Sequence, residues 1–310
     1  MLKSVWLTNA SLKVKLLNYG ARIAAIDFDE QAVTLCYQQD QDFLSDQYYL
    51  GASVGPIANR IGNGKINISG KQYQLPQNES TNCLHSGGVG LDKLYWQISK
   101  RDEQSIEFNC CFDLTKIGLV GELSCTALYQ ITDNALKIRY SGQCTKDTYL
   151  NLTNHVYFNL NQGGDVNDYQ FNVMADSVRE CGTDSLPNGN QRRLEIPCQL
   201  NTADLKFKGD IDHHFDVQPK DSKQVTEFAH VSSASSNISL RVLSNAPGFQ
   251  LYTGAGLNEP FSPRTGFCIE PQYAPNAINT ANDYGPILVA GETSERLIEY
   301  RFSHEPTAQP

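Results

Sequence analysis

Two residues far apart in the chain, His155 and Glu270, are of types that move protons near neutral pH, and each sits where a regular pattern breaks. His155 lies in NLTNHVYFNLNQ, residues 151 to 162, beside Asn151, Asn154 and Asn159 and within an apolar frame of Leu152, Val156, Phe158 and Leu160. Amides are poor strand formers, so three of them around one histidine predict a hydrogen-bonding wall. Glu270 closes the short apolar run from Gly266 to Ile269 and precedes Pro271 and Gln272, which predicts a carboxylate at the rim of a cleft. An imidazole and a carboxylate together are suited to general acid–base chemistry. Each also has an ordinary reading, as a core histidine and as a solvated strand end.

Three further segments concentrate polar residues and glycine. GASVGPIANRIGNGK, residues 51 to 65, surrounds Asn59 and Arg60 with glycines that permit tight turns and close approach to a ligand. It lacks the spacing of a phosphate-binding P-loop, and a plain hairpin connection with an exposed arginine is the competing reading. NESTNCLHSGGVGLDKLYW, residues 78 to 96, places His85 before two glycines, where its ring either faces a cavity or satisfies a turn carbonyl. Tyr95 and Trp96 could stack on a sugar face, although packing is the simpler role for Trp96. Asp212 opens a DHHF segment, but adjacent His213 and His214 cannot both face one ion from a regular strand, and no metal-binding motif completes a site, so no metal is assigned.

The elements that must position these residues are strands. Apolar and polar residues alternate at Leu12, Val14 and Leu16; at Ile66 and Ile68, then Tyr73 and Leu75 across a Ser69-Gly70-Lys71 turn; and at Ile106, Phe108, Cys110 and Phe112. The pattern is clearest from Leu123 to Ile131, returning through Leu136, Ile138 and Tyr140, and it recurs at Ile238 to Val242 and Ile298 to Phe302. No stretch of eleven residues keeps a helical stripe, so helices should be short and few. The fold class is all-β, with no linker or fixed repeat, and residues 1–310 read as one large sandwich or barrel domain ending in a frayed HEPTAQP tail.

A net charge of −9, with acidic and basic residues interspersed, argues against a nucleic-acid partner, which requires a concentrated basic surface. No window approaches a membrane span, and the first twenty residues alternate like a strand rather than forming a signal peptide, so a cytoplasmic protein is expected. Nine cysteines without C-x-x-C spacing read as reduced thiols.

NYGARI (18 to 23), VGPIANRIGNGK (54 to 65), N-x-LH-x-GG (82 to 88 within 73 to 88), GLDKLYW (90 to 96), LTNHVYFNL (152 to 160), LPNG (186 to 189), DHHF (212 to 215) and YTGAGL to CIEPQ (252 to 272) occur here in one order, and together they resemble the aldose 1-epimerase (galactose mutarotase) family nearly end to end. The resemblance implies a large antiparallel β-sandwich that interconverts the anomers of a free aldohexose without cofactor or metal, as a monomer or homodimer. It implies that His155 is the general acid and Glu270 the general base, that Arg60, His85 and Asp212 bind sugar hydroxyls, and that Asn59 and Gln272 support them. For this chemistry Glu270 is expected ionised and His155 protonated beside a carboxylate. Pro56 and Asn276 depart from the family's usual arginine and aspartate and bear on sugar preference. The competing functions are a hexose-6-phosphate 1-epimerase, which calls for clustered basic residues; a non-catalytic sugar-binding homologue, which has no need of a matched acid and base; and a glycosidase using Glu270 and Asp212.

Overall fold

The computed structural model describes residues 1–200, 210–217, 224–280 and 285–305. Its central feature is a nine-stranded antiparallel sheet with the strands in the order Gln97–Arg101, Ser105–Asp113, Glu122–Thr132, Ala135–Cys144, Thr293–His304, Ile238–Ser244, Thr226–Ser233, Tyr169–Val173 and Cys198–Leu200. The alternation read from the sequence decides which face is buried. Ile106, Phe108 and Phe112 are buried beside Leu123, Cys125, Ala127, Tyr129 and Ile131, while the intervening residues reach toward solvent. Asp133, at a φ of 43°, makes the turn that returns the chain through Leu136, Ile138 and Tyr140. Full burial of each such large apolar side chain contributes about 1.5–3 kcal/mol.

A four-stranded sheet, Ser4–Thr8, Leu12–Leu17, Arg22–Phe28 and Gln31–Ala32, adds its apolar face to the same core, and the hairpin Lys65–Ile68 with Lys71–Gln74 turns at Ser69 and Gly70 as expected. Among the described residues the helices are all of the 3₁₀ type, none longer than the six residues of Asp40–Ser45. None is long and apolar enough to cross a membrane. Trp96 packs in the core and donates from Nε1 to the Leu91 carbonyl at 3.0 Å. All nine cysteines are free thiols, four of them buried. Residues 306–310, most of the tail expected to fray, lie outside the described residues.

A five-stranded sheet carries half of the polar site. Its order is Pro187–Arg193, Ser177–Cys181, Asp212–Asp216, Gly248–Tyr252 and Cys268–Pro271. Successive side chains on a strand point to opposite faces. Register across the last three strands therefore puts Asp212, His214, Gln250, Tyr252, Cys268 and Glu270 on one face, and Phe215, Phe249, Leu251 and Ile269 on the other. The second set is buried in the apolar core, where Phe215 stacks on Phe249 at 5.1 Å and Phe249 on Phe228 at 5.4 Å.

The irregular segments are held by buried polar groups. Arg22, in the NYGARI stretch, is fully buried and donates from Nη1 to Asp46 Oδ2 at 3.1 Å, from Nε to the Tyr19 carbonyl, and from Nη2 to the Asp92 carbonyl. Asp46 in turn accepts from Tyr37 Oη and from the backbone N–H groups of Tyr48 and Leu50. Removing one member of such a pair strands a charge in the interior. Asp46→Ala should destabilise the protein by about 3–5 kcal/mol, read as a lowered urea midpoint, whereas the paired replacement Arg22→Met with Asp46→Leu should recover much of the loss.

Candidate active site

His155 follows the two-residue bridge Thr153–Asn154, which pairs with Ser53–Val54, and its backbone exchanges hydrogen bonds with Ala52 and Gly51. The three neighbouring amides form hydrogen bonds to the protein itself. Asn151 accepts from the Tyr273 N–H, Asn154 donates to the Gly51 carbonyl, and Asn159 donates to Thr265 while accepting from Asn161, Gly163 and Tyr169. They supply hydrogen bonds that a regular ladder would otherwise provide, and so hold His155 on a backbone that is neither helix nor extended sheet.

The residues proposed from the sequence converge on a cavity of about 230 Å³ lined by Asn59, Arg60, His85, His155, Asp212 and Glu270. That is smaller than the roughly 300–1,000 Å³ of sites for drug-sized ligands and suits a single sugar ring. His155 Nε2 stands 3.6 Å from Glu270 Oε1, and one nitrogen or oxygen from each of His85, His155 and Glu270 lies within 4.8 Å of the others. His85 Nδ1 accepts the Asn59 N–H at 3.1 Å, so the neutral ring carries its proton on Nε2. Gln250 Nε2 donates to Asp212 Oδ1 at 2.6 Å and fixes that carboxylate. A larger hollow of about 910 Å³, lined by Asp27, Glu30, Cys36 and Phe261 among others, contains none of these residues.

Several expectations change. Glu270 is not at a rim but 2 % exposed within Cys268–Pro271, with Oε2 lacking a hydrogen-bond partner among the described residues. Burial, and secondarily the charge of Asp212, push its carboxyl well above the usual range. Burial likewise lowers the His155 imidazole to about 4. Both shifts act against the expected ion pair of carboxylate and imidazolium. His85 is also driven neutral, chiefly by burial and then by His155 and Arg60. Gln272 does not line the cavity; its buried amide has no hydrogen-bond partner among the described residues. Tyr95 is exposed and packs on Tyr19, away from the cavity. Pro56 and Asn276 act behind the wall: the Pro56 carbonyl accepts from Asn151, and Asn276 donates to the Arg60 carbonyl while accepting from Gly62.

Residues 3–301 match the aldose 1-epimerase family. The chain belongs to that family. Galactose mutarotase of Rattus norvegicus is 30% identical over 96% of this chain and 93% of its own length. Aldose 1-epimerase of Escherichia coli is 31% identical over 96% and 94%. A GalM/aldose epimerase homologue from C. elegans superimposes with a TM-score of 0.91 at 25% identity, covering 99% of this chain and 100% of its own.

In this member of the aldose 1-epimerase family the sequence reading missed the aromatic lining. Tyr49 packs on His85 at 4.5 Å and on His155 at 5.9 Å, Tyr157 lies 5.1 Å from His155, and Tyr48 and Tyr252 complete the wall. It also missed Glu79, which grips Arg60 from the cleft wall. Tyr157 was available in the NHVYFNL segment, whereas Tyr49 and Glu79 sit in irregular stretches with no periodic signal.

A pH-dependent cost follows from Glu270. Because its folded-state pKa is raised above the 4.5 of a free carboxyl, the stability associated with its protonated form is complete below that pH and is lost as pH rises through the folded value. Glu270→Gln should match the wild type in thermal stability near pH 4 and surpass it increasingly above that pH. A constant difference across pH would contradict the burial argument.

Proposed function

We propose that the chain is an aldose 1-epimerase that interconverts the α and β anomers of a free aldohexose such as galactose or glucose, with His155 as acid and Glu270 as base. The observation that carries the residue roles is the buried pair of His155 Nε2 and Glu270 Oε1, 3.6 Å apart at the floor of a sugar-sized cavity. The activities for which the relatives are named, galactose mutarotase and aldose 1-epimerase, support the reaction. The same reading takes residues 1–310 as one unit, supported by an apolar core that draws residues from Val5 through Phe302.

Ring opening moves two protons. Glu270 takes the proton of the anomeric hydroxyl as the bond between the anomeric carbon and the ring oxygen breaks, and His155 gives a proton to the departing ring oxygen. The open aldehyde turns about the bond next to its carbonyl. On closure the former ring oxygen attacks the other face, returns its proton to His155, and the new anomeric oxygen takes the proton from Glu270. The pair holds one proton throughout, either as carboxylate with imidazolium or as carboxylic acid with imidazole. Hydrogen bonds from a bound sugar to the carboxylate and the imidazolium favour the charged form.

Arg60, His85 and Asp212, with Asn59 beside them, orient the ring hydroxyls. His85 offers Nε2–H and Asp212 its remaining acceptor capacity, while the tyrosines cover the apolar face of the sugar.

Polarimetry of freshly dissolved α-galactose tests the reading. His155→Ala and Glu270→Gln should each lower kcat by about 10²–10⁴; turnover retained in either variant would remove that residue from its role. Asp212→Ala should raise KM more than it lowers kcat, as for a group that binds substrate and transition state alike. Equal losses in kcat and kcat/KM would instead place Asp212 in the proton-transfer step.

A further inference from the structure

We propose that Glu79 is a specificity-determining residue whose grip on Arg60 turns the cleft against anionic aldoses, such as uronates and sugar phosphates. The proposal rests on the reading of this cleft as the aldose site.

Arg60 is the only arginine or lysine among the described residues that line the cavity, and three carboxylates, Glu79, Asp212 and Glu270, share that lining with it. A guanidinium recognises a carboxylate or phosphate through two parallel N–H groups. Here that fork is already filled: Nε donates to Glu79 Oε2 at 2.6 Å and Nη2 to Glu79 Oε1 at 2.9 Å, while Nη1 faces Asp212 Oδ2 at 3.4 Å. Burial works against the charge of Arg60, but the Glu79 hydrogen bonds and the charge of Asp212 outweigh it and hold the guanidinium pKa above its ordinary value. An anionic substrate would have to displace Glu79 and leave that carboxylate unpaired beside two others. Neutral hydroxyl groups need no such exchange, because they use the donors and acceptors left over.

The placement of Glu79 is built into the fold. Asn78 accepts the Leu84 N–H at 2.8 Å and donates to the Leu84 carbonyl at 3.1 Å, and the Asn82 N–H closes on the Glu79 carbonyl at 2.9 Å. Leu84 pairs in register with Arg60. The loop therefore closes on Leu84, in the strand paired with the one that carries the arginine, and the Glu79 carboxylate meets the guanidinium from there. With its side chain 37% exposed, Glu79 also presents its charge to the cleft mouth, where it acts on an approaching ligand subject to salt screening.

Isothermal titration of the full chain with galactose and with galacturonate, for the wild type, Glu79→Gln and Glu79→Ala, tests the proposal. Removing one charge near the bound anion should lower the ratio of the galacturonate Kd to the galactose Kd on the order of tenfold in both variants. In the wild type that ratio should shrink as sodium chloride is raised. A ratio unchanged within about twofold, or equal weakening of both sugars, would overturn the proposal and leave Glu79 as a support for Arg60 alone. Thermal unfolding of each variant confirms that the folded protein is being titrated. Polarimetry on galactose separates the two ideas: turnover with an unchanged ratio defeats only the role of Glu79, whereas a wild type that neither binds nor turns over galactose defeats the aldose reading and this proposal with it.

Discussion

Much of the cleft depends on one buried ion pair. Arg22 and Asp46 neutralise each other in the interior, and their remaining hydrogen-bonding capacity ties together segments that no ladder joins: the Tyr19 and Asp92 carbonyls through the guanidinium, and the N–H groups of Tyr48 and Leu50 through the carboxylate. Tyr48 and Tyr49 line the cavity, and the residues just beyond them, Gly51 and Ala52, are the backbone partners of His155. A pair of charges costs desolvation, and an apolar replacement of the same shape often serves stability as well. What the charged pair adds is direction, since five donors on a planar fork and four acceptor positions on a carboxylate specify where several strands of backbone must lie.

Seen from that hub, the polar segments of the sequence divide into two kinds. Asn151, Asn154, Asn159, Arg22 and Asn276 are polar because the backbone around the cleft is irregular and its N–H and C=O groups need partners. Arg60, His85, His155, Asp212 and Glu270 are polar because they face the cavity. Residue type alone does not separate these kinds, so the sequence could not say whether the amides near His155 bond to backbone or to a ligand. Glu270 shows the difficulty from the other side. Sequence spacing located the carboxylate at a strand followed by proline, but the depth of its burial, and with it the protonation state of the pair, depends on packing by elements distant in the chain.

The β architecture was far more legible. Strands such as Ser105–Asp113, Glu122–Thr132 and Ala135–Cys144 are long and alternate along most of their length, so one period determines both their conformation and their buried face. The short bridges that carry the site, Thr153–Asn154 and Arg60–Ile61, hold too few residues for any period to register. Their conformation comes from tertiary partners, and their residues stood out beforehand through local clusters of polar residues and glycine and through the resemblance to a known family.

The five-stranded sheet has a consequence for how this chain can change over time. Asp212, Gln250 and Glu270 lie on one face and Phe215, Phe249 and Ile269 on the other, so a single sheet divides the recognition surface from the oily interior. A one-residue insertion or deletion inside any of these strands would turn carboxylates inward and aromatic rings outward beyond that point. Substitutions on the recognition surface leave the interior untouched and are open to drift. Length is not, and new sugar preferences in this lineage must arise by exchanging side chains at fixed positions or by remodelling the loops beyond the strand ends.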